Sequence, residues 1–257
     1  MALPEFNLAG EVVVLSGGAG ILGQRFAAAL IARGARVAVV DRKGVAQRGD
    51  SVRTYVCDVS NSEELRAAAE RVERDLGPVT GLVNAAATKS EHFFAPFESF
   101  PLEDWEEVMK VNATGAMLAC QVFGAPMAER GRGCIVNILS IYGIVAPDQR
   151  IYAGSLYEGR PINTPAVYST SKAVLWGLTR YLATYWASRG LRVNAITPGG
   201  VFSGQNDTFV QRYSERVPLG RMAQEDEMSG ALVYLLSPAS SYVTGQNLVV
   251  DGGLSAW

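Results

Sequence analysis

Short apolar runs recur along this chain, and the stretches between them carry helical patterns or helical length. The runs are Val12-Val13-Val14-Leu15, Arg36-Val37-Ala38-Val39-Val40, residues 52–57, Leu82-Val83, Ile135-Val136-Asn137-Ile138, residues 191–196 and Asn247-Leu248-Val249-Val250. Nearly continuous apolar strands are buried on both faces, so they predict a parallel sheet covered by helices on each side. Right-handed crossovers make that arrangement doubly wound. The first helix follows the first strand with Phe26, Leu30 and Ile31 on one face, and Gly34 stops it. A second helix is expected over 62–76, capped by Asn61. Longer helical stretches are expected over 102–130 and 166–189. At 257 residues, with no internal repeat, low-complexity stretch or Pro/Ser-rich linker, the chain reads as one α/β domain over 1–257, with about seven parallel strands and helices on both faces.

Two regions are less regular, 142–166 and 198–215. Each follows an expected strand, which places it at the carboxyl edge of the sheet, where such folds bind ligands. The turn Ser16-Gly17-Gly18-Ala19-Gly20-Ile21-Leu22-Gly23 reaches the same edge, after the first strand and before the first helix. Glycines there let the backbone turn sharply and approach a pyrophosphate held at the helix N-terminus. Gly17, Ala19, Gly20, Leu22 and Gly23 are the candidate phosphate contacts. Asp41 ends the second strand, eighteen residues after Gly23. An acidic group there hydrogen-bonds adenosine ribose hydroxyls and repels a 2′-phosphate, which favours NAD over NADP. Arg42 beside it could accept that phosphate, and Asp41 alone could be a strand-end turn residue.

The net charge of −2 argues against nucleic acid or an acidic membrane as a main partner. His92 is the only histidine, which excludes a multi-histidine metal site. Cys57, Cys120 and Cys134 form no CxxC pair and read as buried apolar residues of a reducing compartment. No apolar stretch has transmembrane length, and no basic segment followed by an apolar run opens the chain, so the expected location is the cytoplasm.

Tyr168 and Lys172 stand four apart in Tyr168-Ser169-Thr170-Ser171-Lys172, on one face of an expected helix. An ammonium so placed can stabilise a phenolate and make the tyrosine a usable acid near neutral pH. Taken alone, the pair reads as a solvated helix face, Ser140 as a strand-end turn serine and Asn112 as a helix-bend or capping residue.

The motifs taken in order resemble the short-chain dehydrogenase/reductase family of the single-domain type, from about Leu8 to the C-terminus. Residues 16–23 match its TGxxxGxG turn, with Ser16 for threonine and Ile21 for the middle glycine, a departure that bears on helix–strand packing rather than on binding. Asp58-Val59 resembles the pair that contacts adenine, and Asn84-Ala85-Ala86-Ala87 corresponds to the NNAG segment. Asn112, Ser140 and the Tyr168/Lys172 pair match the catalytic set, and Pro198-Gly199-Gly200-Val201-Phe202-Ser203 resembles PGxVxT.

The resemblance implies a Rossmann-type fold and an NAD(P)(H)-dependent interconversion of a secondary alcohol and a carbonyl. It implies Tyr168 as general acid/base, with Lys172 lowering its pKa and binding the nicotinamide ribose. Ser140 would orient the substrate oxygen, and Asn112 would hold a proton-relaying water. Val201 and Ser203 would fix the carboxamide. The implied dinucleotide contacts extend to Asp58, Val59, Asn84, Pro198 and Gly199. It also implies pairing of the helices in 102–130 and 166–189 across a two-fold axis, in dimers or tetramers.

Ser140 and Tyr168 are farther apart than is usual in this resemblance, and the extra residues fall in 142–166, which should border the substrate. This insert carries Tyr142, Tyr152, Tyr157, Arg150 and Arg160. Tyrosines suit stacking on sugar rings, and arginines suit a carboxylate or phosphate. Tyr142, Arg150 and Arg160 are therefore candidate substrate contacts, the alternative being a surface loop whose arginines pair with Asp148 and Glu158. With Gln205, Asn206 and Asp207 on the opposite wall, a polar, sugar-like or polyol substrate is expected. A narrower similarity, in Ser-Ile-Tyr-Gly and the terminal Asn-Leu-Val-Val-Asp-Gly-Gly-Leu-Ser-Ala-Trp, is to dehydrogenases of bacterial nonulosonate and flagellin-sugar pathways. The competing readings are a nucleotide-retaining epimerase or dehydratase and a non-catalytic dinucleotide sensor.

Overall fold

The computed structural model describes residues 4–44, 51–157 and 159–257. Strands β1 (Val12–Ser16), β2 (Arg36–Asp41), β3 (Val52–Val56), β4 (Gly81–Asn84), β5 (Gly133–Ile138), β8 (Leu191–Pro198) and β9 (Asn247–Val250) form one sheet in the order β3-β2-β1-β4-β5-β8-β9. Every pairing in it is parallel. Between them in the chain lies a hairpin of β6 (Leu156–Tyr157) and β7 (Arg160–Pro161). The helices are α1 (Ile21–Ala32), α2 (Ser62–Leu76), α3 (Leu102–Met109), α4 (Gly115–Ala119), α5 (Ala125–Glu129), α6 (Ala166–Tyr185), α7 (Asp207–Ser214) and α8 (Ser229–Leu236).

Alternation along the strands builds two separate cores. Val12 and Val14 of β1 face the layer of α2, α4 and α5, where they meet Leu65, Val72 and Met127. Val13 and Leu15 face the opposite layer, against Phe26 and Leu30 of α1 and Leu232 of α8. The two-residue period of a strand sends neighbours to opposite faces, and each fully buried large side chain contributes about 1.5–3 kcal/mol. Helix α2 forms where expected: the Asn61 side chain accepts hydrogen bonds from the backbone N–H groups of Glu63 (3.0 Å) and Glu64 (3.3 Å).

The order of strands reverses at β1, whose neighbours are β2 and β4, so the connections leave in opposite directions and open a crevice at the carboxyl edge. The registers Ser16↔Val40 and Ser16↔Asn84 bring these three strands to that edge together. Gly17 then bonds across to the Val40 carbonyl (3.0 Å) with φ +74°, and a Cβ on it would lie 2.6 Å from the Ala86 backbone. The helix–turn packing of this motif rests on Gly23, where a Cβ would strike the Gly17 carbonyl oxygen. Ile21 is 43% exposed at the crevice and leaves that packing untouched, contrary to what its position in the motif suggests.

The expected helix over 102–130 is one run interrupted by two π-helical turns, Lys110–Thr114 and Cys120–Gly124. Such turns are frequent at functional sites, and the first carries Asn112. The insert is ordered by a third apolar cluster, in which Ile151 and Tyr152 pack on Phe209, Tyr213 and Val217. Tyr152 stacks on Phe209 at 5.5 Å between ring centroids. Asn206 staples the two segments: its side chain accepts from the Leu156 N–H (3.1 Å) while its own N–H donates to the Leu156 carbonyl (3.3 Å). Arg212 donates to the Ala153 carbonyl.

Candidate active site

A cleft of about 900 Å³ runs along the carboxyl edge of the sheet, within the range of small-molecule sites. One half is floored by Gly17, Ala19, Gly20, Leu22 and Gly23. Helix α1 starts there at Gly20 without a side-chain cap, so its first-turn N–H groups point at the cleft as an anion site. Asp41 and Arg42 line this half, and the Asp41 carboxylate accepts from the N–H groups of Ala19 (3.0 Å) and Lys43 (2.9 Å). Asp58 and Val59 close its far wall. Asp58 accepts from the Ser60 N–H (2.8 Å) and hydroxyl (2.7 Å); burial works against its ionisation, but these bonds, with Arg42 and Lys110 nearby, hold its carboxyl below the usual range.

Ser140, Tyr168 and Lys172 line the other half, with Pro198, Gly199, Val201 and Ser203 opposite. Ser140 ends the chain's exit from β5, and Tyr168 and Lys172 lie one turn apart on α6. Burial raises the Tyr168 pKa, and the nearby Ser140 hydroxyl draws it partly back. The edge of the Phe93 ring meets the Tyr168 ring at 6.3 Å. Lys172 is 4% exposed, and burial pushes its pKa down to about 8. Its ammonium donates to the Ile138 carbonyl (3.0 Å). The forces on Tyr168 are thus burial, the Ser140 hydroxyl and Tyr152; Lys172, expected to lower the Tyr168 pKa, is engaged by the end of β5 instead.

Four expected residues stand elsewhere. Asn84 follows Leu82 by two on β4 and so turns into the core beneath the sheet, where its amide donates to Asn137 Oδ1 (2.9 Å) and Cys120 Sγ (3.3 Å). Ala85, Ala86 and Ala87 line the cleft in its place. Asn112 lies behind the cleft with both ends of its amide taken: Oδ1 accepts from the Thr88 N–H (2.9 Å), and Nδ2 donates to Ser171 Oγ (3.0 Å). Arg150 and Arg160 do not reach the cleft. Arg150 extends into solvent and grips Asp148 through two hydrogen bonds (2.9 and 2.8 Å); Arg160 is exposed on β7. A guanidinium keeps its hydration at the surface, and burying it without a partner is costly. Glu158, the other expected partner, lies outside the described residues.

All three tyrosines of the insert line the cleft. Tyr152 shares a hydrogen bond with Thr164 Oγ1 (2.5 Å). The Tyr142 hydroxyl lies near those of Tyr152 and Tyr213, which add to the effect of burial in raising its pKa, yet it meets hydrogen-bond geometry with neither. Several wall residues carried no signal in the sequence. Tyr213 accepts from the Gly200 N–H (2.5 Å), tying α7 to the Pro198–Ser203 turn. The Lys89 ammonium sits over the rings of Tyr157 (4.6 Å) and Phe94 (5.5 Å). The neighbouring aromatics Phe93-Phe94 after β4 were the one readable hint of that wall.

A family model described as enoyl-(acyl carrier protein) reductase matches residues 18–255. The chain is 33% identical to D-threitol dehydrogenase of Mycolicibacterium smegmatis over 97% of its length and 94% of that protein. It is 34% identical to galactitol 2-dehydrogenase (L-tagatose-forming) of Cereibacter sphaeroides, over 98% of both chains. Among solved structures it resembles a short-chain dehydrogenase from Leptospira borgpetersenii with bound NAD+ (TM-score 0.89, 34% identity, 99% and 97% of the two chains). It also resembles a gluconate 5-dehydrogenase from Burkholderia cenocepacia in complex with NADP and tartrate (TM-score 0.84, 30% identity, all of both chains). Sheet order, cleft and relatives agree: the chain belongs to the short-chain dehydrogenase/reductase family of NAD(P)-dependent oxidoreductases.

Proposed function

We propose that this chain is an NAD-preferring dehydrogenase that interconverts a secondary alcohol and a carbonyl on a polyol or sugar-like substrate. The observation that carries the proposal is the convergence of Ser140, Tyr168 and Lys172 in the same cleft as a glycine turn and an acidic strand end. A dinucleotide fits the residues present. The uncapped start of α1 and the close-packed glycines suit its phosphates, Asp41 its adenosine ribose, and Asp58-Val59 its adenine. Asp41 favours NAD, while Arg42 in the same wall keeps some NADP use in reach. When bound, the nicotinamide accepts or supplies the hydride.

The chain's residues manage the proton and the geometry. Ser140 orients the substrate oxygen beside the Tyr168 hydroxyl, and Tyr168 takes the alcohol proton in oxidation or returns it in reduction. Lys172, one helical turn from Tyr168 and charged below about pH 8, supplies the positive charge that would favour the tyrosinate able to take that proton. Asn112 acts on the site as a positioning residue, holding the Thr88 backbone and Ser171 in place. The wall of Tyr142, Tyr152, Tyr157, Asn163 and Gln205 supports a hydroxylated substrate, as do the polyols named in its relatives.

Helix α6 exposes Val174 and the stacked pair Tyr181 and Tyr185 (5.6 Å), which supports association into dimers or tetramers. Among the described residues no helix is long and apolar enough to cross a membrane.

The test is a panel of threitol, galactitol, arabinitol, xylitol and gluconate followed by NADH absorbance, with NADP run beside NAD. Turnover of at least one polyol with NAD preferred is expected. Reduction of apolar ketones alone would sink the polyol reading. Purified protein that retains cofactor and gives no net NADH would favour an epimerase or dehydratase.

A further inference from the structure

The turn over Pro198 to Ser203 is held from two directions, and the two holds do different things. Tyr213 accepts from the Gly200 N–H (2.5 Å). Ala223 donates its N–H to the Gly200 carbonyl (2.9 Å) and accepts from the Phe202 N–H (2.9 Å). These bonds fix the backbone as far as Phe202. Gln205 acts on the next residue. Its Oε1 accepts from the Ser203 N–H (2.8 Å), and its Nε2 donates to Ser203 Oγ (3.1 Å) and to the Val201 carbonyl (3.3 Å). These partners fix the orientation of the amide. Turning it over would set its oxygen against the Val201 carbonyl and its NH2 group against the Ser203 N–H.

A hydroxyl carries one donor and two acceptor lone pairs. Gln205 fills an acceptor site of Ser203 Oγ, so the hydroxyl hydrogen is turned away from Gln205 toward another acceptor. Val201, Ser203 and Gln205 line the catalytic cleft, and Ser203 is partly exposed there, across from Ser140 and Tyr168. Ser203 therefore stands in the half of the cleft where the nicotinamide end of a dinucleotide belongs, since hydride passes to or from the carbon whose oxygen meets Tyr168. The carboxamide of that ring offers an acceptor oxygen at one end and a donor NH2 at the other. A serine hydroxyl free to rotate serves either end; one committed to donating selects the oxygen.

We propose that Gln205 is a positioning residue for the nicotinamide end of the cofactor, committing the Ser203 hydroxyl to donate to the carboxamide oxygen. This rests on the dinucleotide reading above and adds the residue that sets the polarity of Ser203.

The experiment measures, by titration calorimetry, the dissociation constants of NADH and of ADP-ribose, which keeps the adenosine, pyrophosphate and terminal ribose but lacks the nicotinamide. The proteins are wild type, Ser203→Ala, Gln205→Leu, the double variant and Gln205→Glu. The preference for NADH over ADP-ribose is expected to fall about threefold to tenfold in each single variant. In the double variant it is expected to fall no further than in Ser203→Ala, because Gln205 acts through Ser203. Gln205→Glu keeps an acceptor for the Ser203 N–H and draws the Ser203 hydroxyl toward its carboxylate, so it tests the donor without untying the turn if Gln205→Leu loosens it. An NADH preference equal to wild type in Gln205→Glu overturns the proposal. So does a Gln205→Leu protein that weakens both ligands alike, or one that lowers the preference further in the Ser203→Ala background; either marks a merely structural role. Unchanged NADH preference with a raised polyol KM in Gln205→Leu makes Gln205 a substrate contact and overturns the proposal while the dinucleotide reading stands. A wild type that binds neither NADH nor ADP-ribose overturns both.

Discussion

Replacing Lys172 with methionine separates stability from function. Lys172 lies in the protein interior, and burial alone displaces its pKa from 10.5 to about 8. That displacement corresponds to about 3 kcal/mol of preference for the neutral amine in the folded state. Below about pH 8 the amine is charged both folded and unfolded, and the fold bears the whole cost of burying the charge. Between about pH 8 and 10.5 the unfolded chain holds a proton that the folded chain has released, so wild-type stability rises with pH. Above that window the amine is neutral in both states. Methionine cannot titrate, and ionisations common to both proteins cancel in the difference. Urea unfolding at a series of pH values should therefore show wild type gaining about 3 kcal/mol relative to Lys172→Met as pH rises from 8 to 10.5. The constant part of the difference also contains the lost hydrogen bond to the Ile138 carbonyl, which does not titrate. A difference that stays flat across the window would refute the reasoning and mean that the ammonium is solvated or paired in the native state.

Asp41→Ala removes the acidic group at the end of β2 and its hold on the Ala19 N–H; the ratio of kcat/KM for NAD to that for NADP is expected to fall about tenfold or more, and unchanged NAD kinetics would count against Asp41 as the selector. His92 donates from its ring to Asp104 (3.0 Å), which raises its pKa above the ordinary histidine value. The ion pair is complete below the ordinary value and lost as pH rises through the raised one. His92 is the only histidine, so a proton NMR titration reads it directly: an elevated pKa that drops in Asp104→Asn is expected, and an unshifted one contradicts the pairing. Light scattering should give a mass of two or four chains, with Tyr181→Glu in the exposed face of α6 reducing it; a wild-type monomer excludes the association.

The fold was legible because its signal is redundant. The central strands of the large sheet are apolar runs buried on both faces, its edges β3 and β9 being partly exposed, and the cap at Asn61 is a local device that needs no tertiary information. The meeting of Ser140, Tyr168 and Lys172 in one cleft was legible for the same reason, since strand end and helix spacing fix where they lie. What failed depended on which way a side chain turns. Asn84 belongs to the matching segment, but the two-residue period of β4 sends it into the core. Arg150 and Arg160 lie in the right loop, yet hydration and Asp148 keep Arg150 outside the cleft and Arg160 stays exposed. Tyr213 went unread because its partner is the backbone of Gly200.

The central claim is that Tyr168 moves the proton in a polyol dehydrogenase. It is tested most directly by comparing polyol-dependent NADH formation in wild type and Tyr168→Phe, with NAD affinity measured alongside. The account predicts a loss of turnover of about 10²- to 10⁴-fold, the range for removing a positioned acid, with NAD still bound. Near-normal turnover in Tyr168→Phe would contradict it.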